Sequence, residues 1–163
     1  PFLGGGDMIE RVTTEGSTWA EVPRRFEAGT PPIAEVVGLG AAIDFVKEIG
    51  YAAIQKHERA LYKEARELLI KTPGVTVYGP SDSISAASSI ISFNVEGIHS
   101  HDMATIADSL NVQIRSGHHC AMPAMKGLGI QGTARASIGL YSDISDFETL
   151  VKGIQKAQKL LGR

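Results

Sequence analysis

Apolar and polar positions change period several times along the chain. From Ile33 to Ile49, apolar residues fall at Ile33, Val36, Val37, Leu39, Ile43 and Val46, a helical spacing. Gly38, Gly40, Ala41 and Ala42 would let a neighbouring element approach closely. After Gly50, a second helix over about Tyr51–Lys71 puts Ile54, Leu61, Ala65, Leu68 and Leu69 on one face. His57, Glu58, Lys63, Glu64 and Glu67 fall largely elsewhere, and Pro73-Gly74 ends the helix. The period then shortens. Val75–Tyr78 reads as a short strand, closed by Gly79-Pro80 and a polar loop through Ser89. Ser89–Val95 reads as a central strand, followed by a helix over about Met103–Leu110 with a Ser or Asp cap. Val112–Arg115 alternates like a strand, Gly117–Gly132 is loop-like, and Ala134–Leu140 is a further strand. The last helix, near Asp143–Leu161, has Ile144, Phe147, Leu150, Val151, Ile154, Ala157 and Leu161 in one stripe. Ser145 and Glu148 stand at capping-box spacing there.

Upstream of the helices the signal is weaker. Gly4-Gly5-Gly6 reads as a loop or linker, and residues 11–22 as a short strand or an irregular extended segment. Gly29-Thr30-Pro31-Pro32 marks a turn, with Pro32 placed to start a helix. Helices therefore come first, then a β-β-α-β-β-α module from about 75 to 161. The economical packing for that order is α/β, a sheet with helices on one face.

Composition narrows the class. With 163 residues, 43% of them hydrophobic, the chain is long enough for a filled core and too apolar for disorder. The 16 Lys+Arg against 18 Asp+Glu exclude a basic nucleic-acid binder. Apolar runs are short and broken by charge, so no membrane-spanning segment is expected. Pro1–Asp7 shows no basic region followed by an apolar stretch, so no secretory signal is expected. The start at Pro1 rather than Met suggests a processed or truncated chain, and a cytoplasmic setting is the expectation. One cysteine forms no internal disulfide and no multi-thiolate zinc site.

The candidate chemistry lies in Arg115-Ser116-Gly117-His118-His119-Cys120-Ala121. Here a thiol follows a strand, on a loop begun by glycine, beside two imidazoles and a guanidinium. Nearby cations raise the thiolate fraction of a cysteine, and Arg115 or a protonated His118 or His119 would be such cations. Either imidazole is also a candidate acid or base. Two other readings stand beside this one. Cys120 is a small buried hydrophobe, or it joins His99, His101, His118 and His119 as a metal ligand. The second is disfavoured by the absence of further thiolates and of a regular Cys/His spacing, and no metal is expected.

These residues carry a resemblance. Arg-Ser-Gly-His-His-Cys-Ala resembles the Arg-x-Gly-His-His-Cys-Ala signature of group II cysteine desulfurases, the SufS-like enzymes and selenocysteine lyases of the aminotransferase class-V family. Gly4-Gly5-Gly6-Asp7-Met8-Ile9 resembles the segment after the family's cofactor-lysine region. Arg25-Phe26-Glu27-Ala28-Gly29-Thr30-Pro31 resembles a further family motif. Gly38–Ala42, Tyr78-Gly79-Pro80 and Arg135-Ala136-Ser137 fit in order. The subgroup rests on the two histidines.

The resemblance implies part of a fold type I enzyme that uses pyridoxal 5'-phosphate. It implies that residues 1–50 are the tail of the large cofactor-binding domain and the start of the connecting helices, and that 51–163 are the small domain. Cys120 matches the nucleophile that takes sulfur from L-cysteine, leaving alanine and an enzyme persulfide. Arg135 matches the arginine that holds the substrate carboxylate, for which a planar fork of donors is suited. Gly29 and Thr30 match the turn that reaches the cofactor phosphate across a homodimer; Arg115, His118 and His119 are supporting residues. The implied role is sulfur supply for iron–sulfur cluster assembly through a SufE- or SufU-like acceptor, or selenium release. The family's Schiff-base lysine, pyridine-nitrogen acid and ring-stacking histidine lie upstream of its matching region, and none of their motifs occurs here. Seven of the lysines sit on helical stretches, and Lys126 has no Schiff-base motif around it. The chain is therefore expected to be inactive alone. The alternatives are a persulfide carrier and a structural α/β domain with an inert thiol.

Overall fold

The computed structural model describes residues 1–79 and 89–162. The turn read at Gly79-Pro80 and the polar loop that follows lie largely outside the described residues. Two compact units are present, Pro1–Ile49 and Gly50–Arg163.

In the first unit, β1 (Ile9–Val12) and β2 (Ser17–Trp19) form an antiparallel hairpin. The single extended segment expected over residues 11–22 is thus the outer part of a folded-back pair. Thr13 causes the reversal: its N–H donates to the Gly16 carbonyl at 2.8 Å, and its Oγ1 accepts from the Gly16 N–H at 3.1 Å. Met8 is fully buried, with its own carbonyl taken by the Ala20 N–H at 2.8 Å. The helix α1 spans Ile33–Ile49, with the bounds its period predicts. None of its residues is buried, so the close packing that its small residues would allow is absent among the described residues. Its apolar stripe of Ile33, Val36, Val37, Leu39 and Ile43 is exposed.

The second unit holds the core. Helix α2 (Tyr51–Lys71) buries Leu61, Ala65 and Leu69, the residues one heptad-like face supplies. Strands β3 (Val75–Tyr78), β4 (Ile90–Val95), β5 (Arg115–Gly117) and β6 (Thr133–Ser137) form an antiparallel sheet in the order β3-β4-β6-β5. In β4, Ile91, Phe93 and Val95 are buried on one face, while Ser92 and Asn94 point to the other. Helices α3 (Ser100–Asp108) and α5 (Ile144–Leu161) join α2 on the apolar face. Met103, Ala107, Phe147, Leu150, Ile154 and Ala157 complete one continuous core with Ala134 and Ala136 of β6. The result is the expected α/β arrangement, a sheet with helices on one face.

Several boundaries move, each for a local reason. Helix α3 begins three residues before the expected Met103, because the Ile98 N–H donates back to Val95 and reverses the chain directly after β4. Its cap is His99, whose ring accepts from the His101 N–H, not a Ser or Asp. The strand expected at Val112–Arg115 begins only at Arg115. The Val112 N–H is still tied to Ala107, and the alternation records Val112 and Ile114 packing sideways on the core. Strand β6 ends at Ser137 rather than Leu140, because Gly139 and Ser142 close a turn through their backbone and the Ser142 hydroxyl. The capping box of α5 uses Asp143 and Asp146, two residues upstream of the expected pair, with Ser145 donating to Asp143. That hydrogen bonding holds the Asp143 carboxyl below its usual range.

Candidate active site

The polar face of the sheet carries the candidate residues. The register places Tyr78, Ser92, Arg135 and Arg115 in one row across all four strands. Side chains directly opposite in antiparallel strands share a face, so the two arginines are neighbours. Arg135 is half-buried and its Nε is buried with no partner among the described residues. The ion pairs among the described residues are Lys47–Asp44 and Lys71–Glu67, so neither arginine meets a carboxylate there. Like charges set opposite one another repel, and a bound anion relieves both.

The loop after β5 begins at Gly117, whose φ of +109° is open to glycine and strained for other residues. Its floor is Gly132: a Cβ there would lie 2.8 Å from the Gly117 carbonyl carbon, backbone against backbone. Asn94 holds that floor, donating to the Gly132 carbonyl at 2.9 Å and reaching the Tyr78 hydroxyl at 3.3 Å. Asn94 is thus a site residue that the motif reading did not reach, and Tyr78, quoted only as part of a motif, gains a place at the site. The signal was an amide at a polar-face position within the otherwise apolar Ile-Ser-Phe-Asn-Val alternation.

Beyond Gly117 the chain turns twice more to the left. His119 and Cys120 have φ of +55° and +56°, a conformation costing about 1–2 kcal/mol per non-glycine residue. Two contacts hold it. The Cys120 N–H donates to His118 Nδ1 at 3.0 Å, and the Ala121 N–H donates to the His118 carbonyl at 2.9 Å. The His119 ring packs on β6, its Nε2 at 2.9 Å from Thr133 Oγ1 and 3.1 Å from the Thr133 carbonyl. The segment expected to be loop throughout then enters a short helix, α4 (Met122–Gly127), with Pro123 in its first turn. At six residues it is too short to register as a period.

Cys120 is exposed at the crest of this loop, which removes the reading of a small buried hydrophobe. Burial, then the neighbouring Arg135, lowers the His119 pKa below the ordinary imidazole range, so the ring is neutral near neutrality. His119 therefore does not supply the cation proposed to activate the thiol; positive charge on this face comes from Arg115 and Arg135. A cleft of about 470 Å³ beside the loop is lined by Asn94, His99, His101, Gly117, His118 and Gln131, among others. The rings of His99, the cap of α3, and His101, in its first turn, meet edge to face at 5.0 Å. Among the described residues no three His, Cys, Asp or Glu side chains are grouped to hold a metal ion.

The structure thus brings Cys120, His118, His119, Arg115 and Arg135 to one end of one sheet face. Gly29 and Thr30 belong to the other unit. Gly29 has φ +100° and its N–H donates to the Gly6 carbonyl at 2.9 Å. The Gly29 N–H is thus already taken, and Thr30 beside it is exposed. No helix of the described residues is long and apolar enough to cross a membrane.

Comparison with known proteins places the chain as a whole. A probable cysteine desulfurase of Halalkalibacterium halodurans is 46% identical over 99% of the chain and 39% of its own length. Among solved structures, the apo cysteine desulfurase of Thermococcus onnurineus aligns with a TM-score of 0.81 at 42% identity, covering 99% of this chain and 40% of that one. The cysteine desulfurase CsdA of Escherichia coli, in an S-sulfonic acid form, aligns with a TM-score of 0.79 at 35% identity, over 99% and 39% of the two chains. The chain spans about two fifths of the length of the curated relatives it matches. Residues 1–150 match the aminotransferase class-V family, and with its α/β sheet and cysteine loop the chain belongs to that family.

Proposed function

We propose that this chain is the C-terminal part of a cysteine desulfurase that uses pyridoxal 5'-phosphate, with residues 1–50 ending the large domain and 51–163 forming the small one. One observation carries the reading: an exposed Cys120 stands on a strained loop beside two adjacent arginines that lack a carboxylate among the described residues. That face suits a small amino acid, whose carboxylate Arg135 takes and whose sulfur lies within the reach of a thiol. The exposed apolar stripe of α1 supports the two-domain reading, since the other three fifths of the relatives' length would supply its cover.

The cofactor, when bound, supplies an electron sink for the substrate's carbon skeleton. Cys120 Sγ forms a bond to the substrate sulfur as the Cβ–S bond breaks, and the bonding pair leaves with the carbon fragment. That fragment takes up protons and departs as alanine, while the sulfur stays on Cys120 as a persulfide. Arg135 holds the carboxylate bidentately, and Arg115 adds charge at the mouth of the site. Thr30 offers its hydroxyl and N–H to the cofactor phosphate, across a homodimer interface in this reading. The exposure of Cys120 favours onward transfer to a SufE- or SufU-like acceptor for iron–sulfur cluster assembly, in the cytoplasm. The same site admits selenocysteine.

The full-length protein, loaded with pyridoxal 5'-phosphate and given L-cysteine, is expected to release alanine. The 163-residue chain is expected to release none under the same conditions. Alanine release by the short chain would overturn the assignment of the missing lysine to a preceding segment. A persulfide carrier would instead accept sulfur from another desulfurase and be indifferent to loss of Arg135.

A further inference from the structure

His119 is the one titratable side chain of the cysteine loop that is anchored away from it. Its Nε2 sits 3.1 Å from the Thr133 carbonyl oxygen. A carbonyl oxygen only accepts, so Nε2 carries the ring proton and donates it, with Thr133 Oγ1 at 2.9 Å sharing the bond. In the neutral ring Nδ1 is then bare. That atom is buried and has no partner among the described residues. Protonating it would bury an N–H with no acceptor, a costly arrangement. It would also add a positive charge beside Arg135 of β6, Arg115 of β5 and His118 of the loop, the charged or titratable groups that face the ring. Thr133 is itself fully buried, so the anchor is fixed to the core. The next residue is Cys120, and both residues hold the left-handed conformation.

From this geometry we infer that His119 is a positioning residue, whose neutral ring pins the left-handed His119–Cys120 pair to Thr133 and so fixes where the thiol is presented. The inference rests on the proposed role of Cys120. The ring does not exchange a proton with substrate; it acts through the backbone it holds. Protonation keeps the Nε2–H donor but leaves a new N–H at Nδ1 without an acceptor and a charge beside Arg135 and Arg115, so the anchored position is disfavoured and thiol presentation weakens as pH falls through the lowered pKa.

The test uses the full-length protein with bound pyridoxal 5'-phosphate and compares wild type, His119→Gln and His119→Ala. Glutamine keeps an N–H donor at about the reach of Nε2 and does not titrate. At pH 8, His119→Ala is expected to lose roughly tenfold or more in kcat with KM for L-cysteine nearly unchanged, and His119→Gln to stay within about threefold of wild type. Below pH 7 the wild-type kcat is expected to fall more steeply than that of His119→Gln. Alkylation of Cys120 by iodoacetamide is read in parallel. The ratio of wild-type to His119→Gln rates is expected to be flat at neutral and alkaline pH and to depart below it. Equal losses in the Gln and Ala variants, an unchanged kcat in His119→Ala, or a rate ratio flat from pH 8 down to the pH at which the protein unfolds would each overturn the inference. If wild type releases no alanine, the proposed function fails, and the alkylation ratio still decides the role of His119. The Gln profile likewise decides it if His119→Ala does not fold.

Discussion

Replacing Cys120 with serine in the full-length protein is expected to lower alanine release from L-cysteine by roughly three orders of magnitude or more. A hydroxyl in the same place has the reach of the thiol and almost none of its nucleophilicity, because the reacting species is the thiolate. No second thiol can stand in among these residues, since the chain has one cysteine. Substrate binding is expected to survive: the exposed Cys120 makes no side-chain hydrogen bond that serine would break among the described residues, and Arg135 is untouched. The spectral change on adding L-cysteine to the cofactor-loaded protein should therefore persist while turnover disappears. Steady alanine release by Cys120→Ser would remove this thiol from the reaction.

Arg135→Ala is the second large effect. Its Nε is buried without a partner, and it lies opposite Arg115 with no carboxylate at hand. A carboxylate there gains two parallel charge-assisted bonds, and truncating one side of such a pair costs about 2–5 kcal/mol. The expected fall in kcat/KM for L-cysteine is about 30- to 5,000-fold, carried mostly by KM. Arg135→Lys should recover little, because a single ammonium does not reproduce the planar fork. Folding is expected to tolerate the change, since the alanine removes one of two facing like charges. A variant that binds and turns over L-cysteine normally would assign Arg135 to structure alone.

How much of this was legible in the sequence differs by element. Helices α1 and α2 keep their bounds because each is a long periodic run that glycine or proline ends. Strand β4 was legible because its polar alternates are real: Ser92 and Asn94 face the site while Ile91, Phe93 and Val95 face the core. Strand β5 was misplaced because alternation at Val112 and Ile114 came from packing, and alternation alone does not show that a ladder bond exists. Helix α4 was hidden by its length. At the site, the run from Arg115 to Cys120 flagged the chemistry, but not the conformation. Nothing in His-His-Cys says that the second ring turns inward to Thr133 and goes uncharged while the first accepts from the Cys120 N–H. Those roles depend on β6, some fifteen residues away in sequence, and on the left-handed turns that aim the two rings apart. The same long-range dependence hid Asn94, whose partner Gly132 is 38 residues distant.

The central claim is that Cys120 receives the substrate's sulfur, and the direct measurement is where that sulfur is found. The full-length protein is incubated with pyridoxal 5'-phosphate and L-cysteine without any acceptor, trapped with an alkylating reagent, digested and weighed. The account predicts one added sulfur atom on the peptide containing Cys120, formed together with an equal amount of alanine in the first turnover. Alanine formed in the same burst, with the Cys120 peptide unmodified, would contradict it.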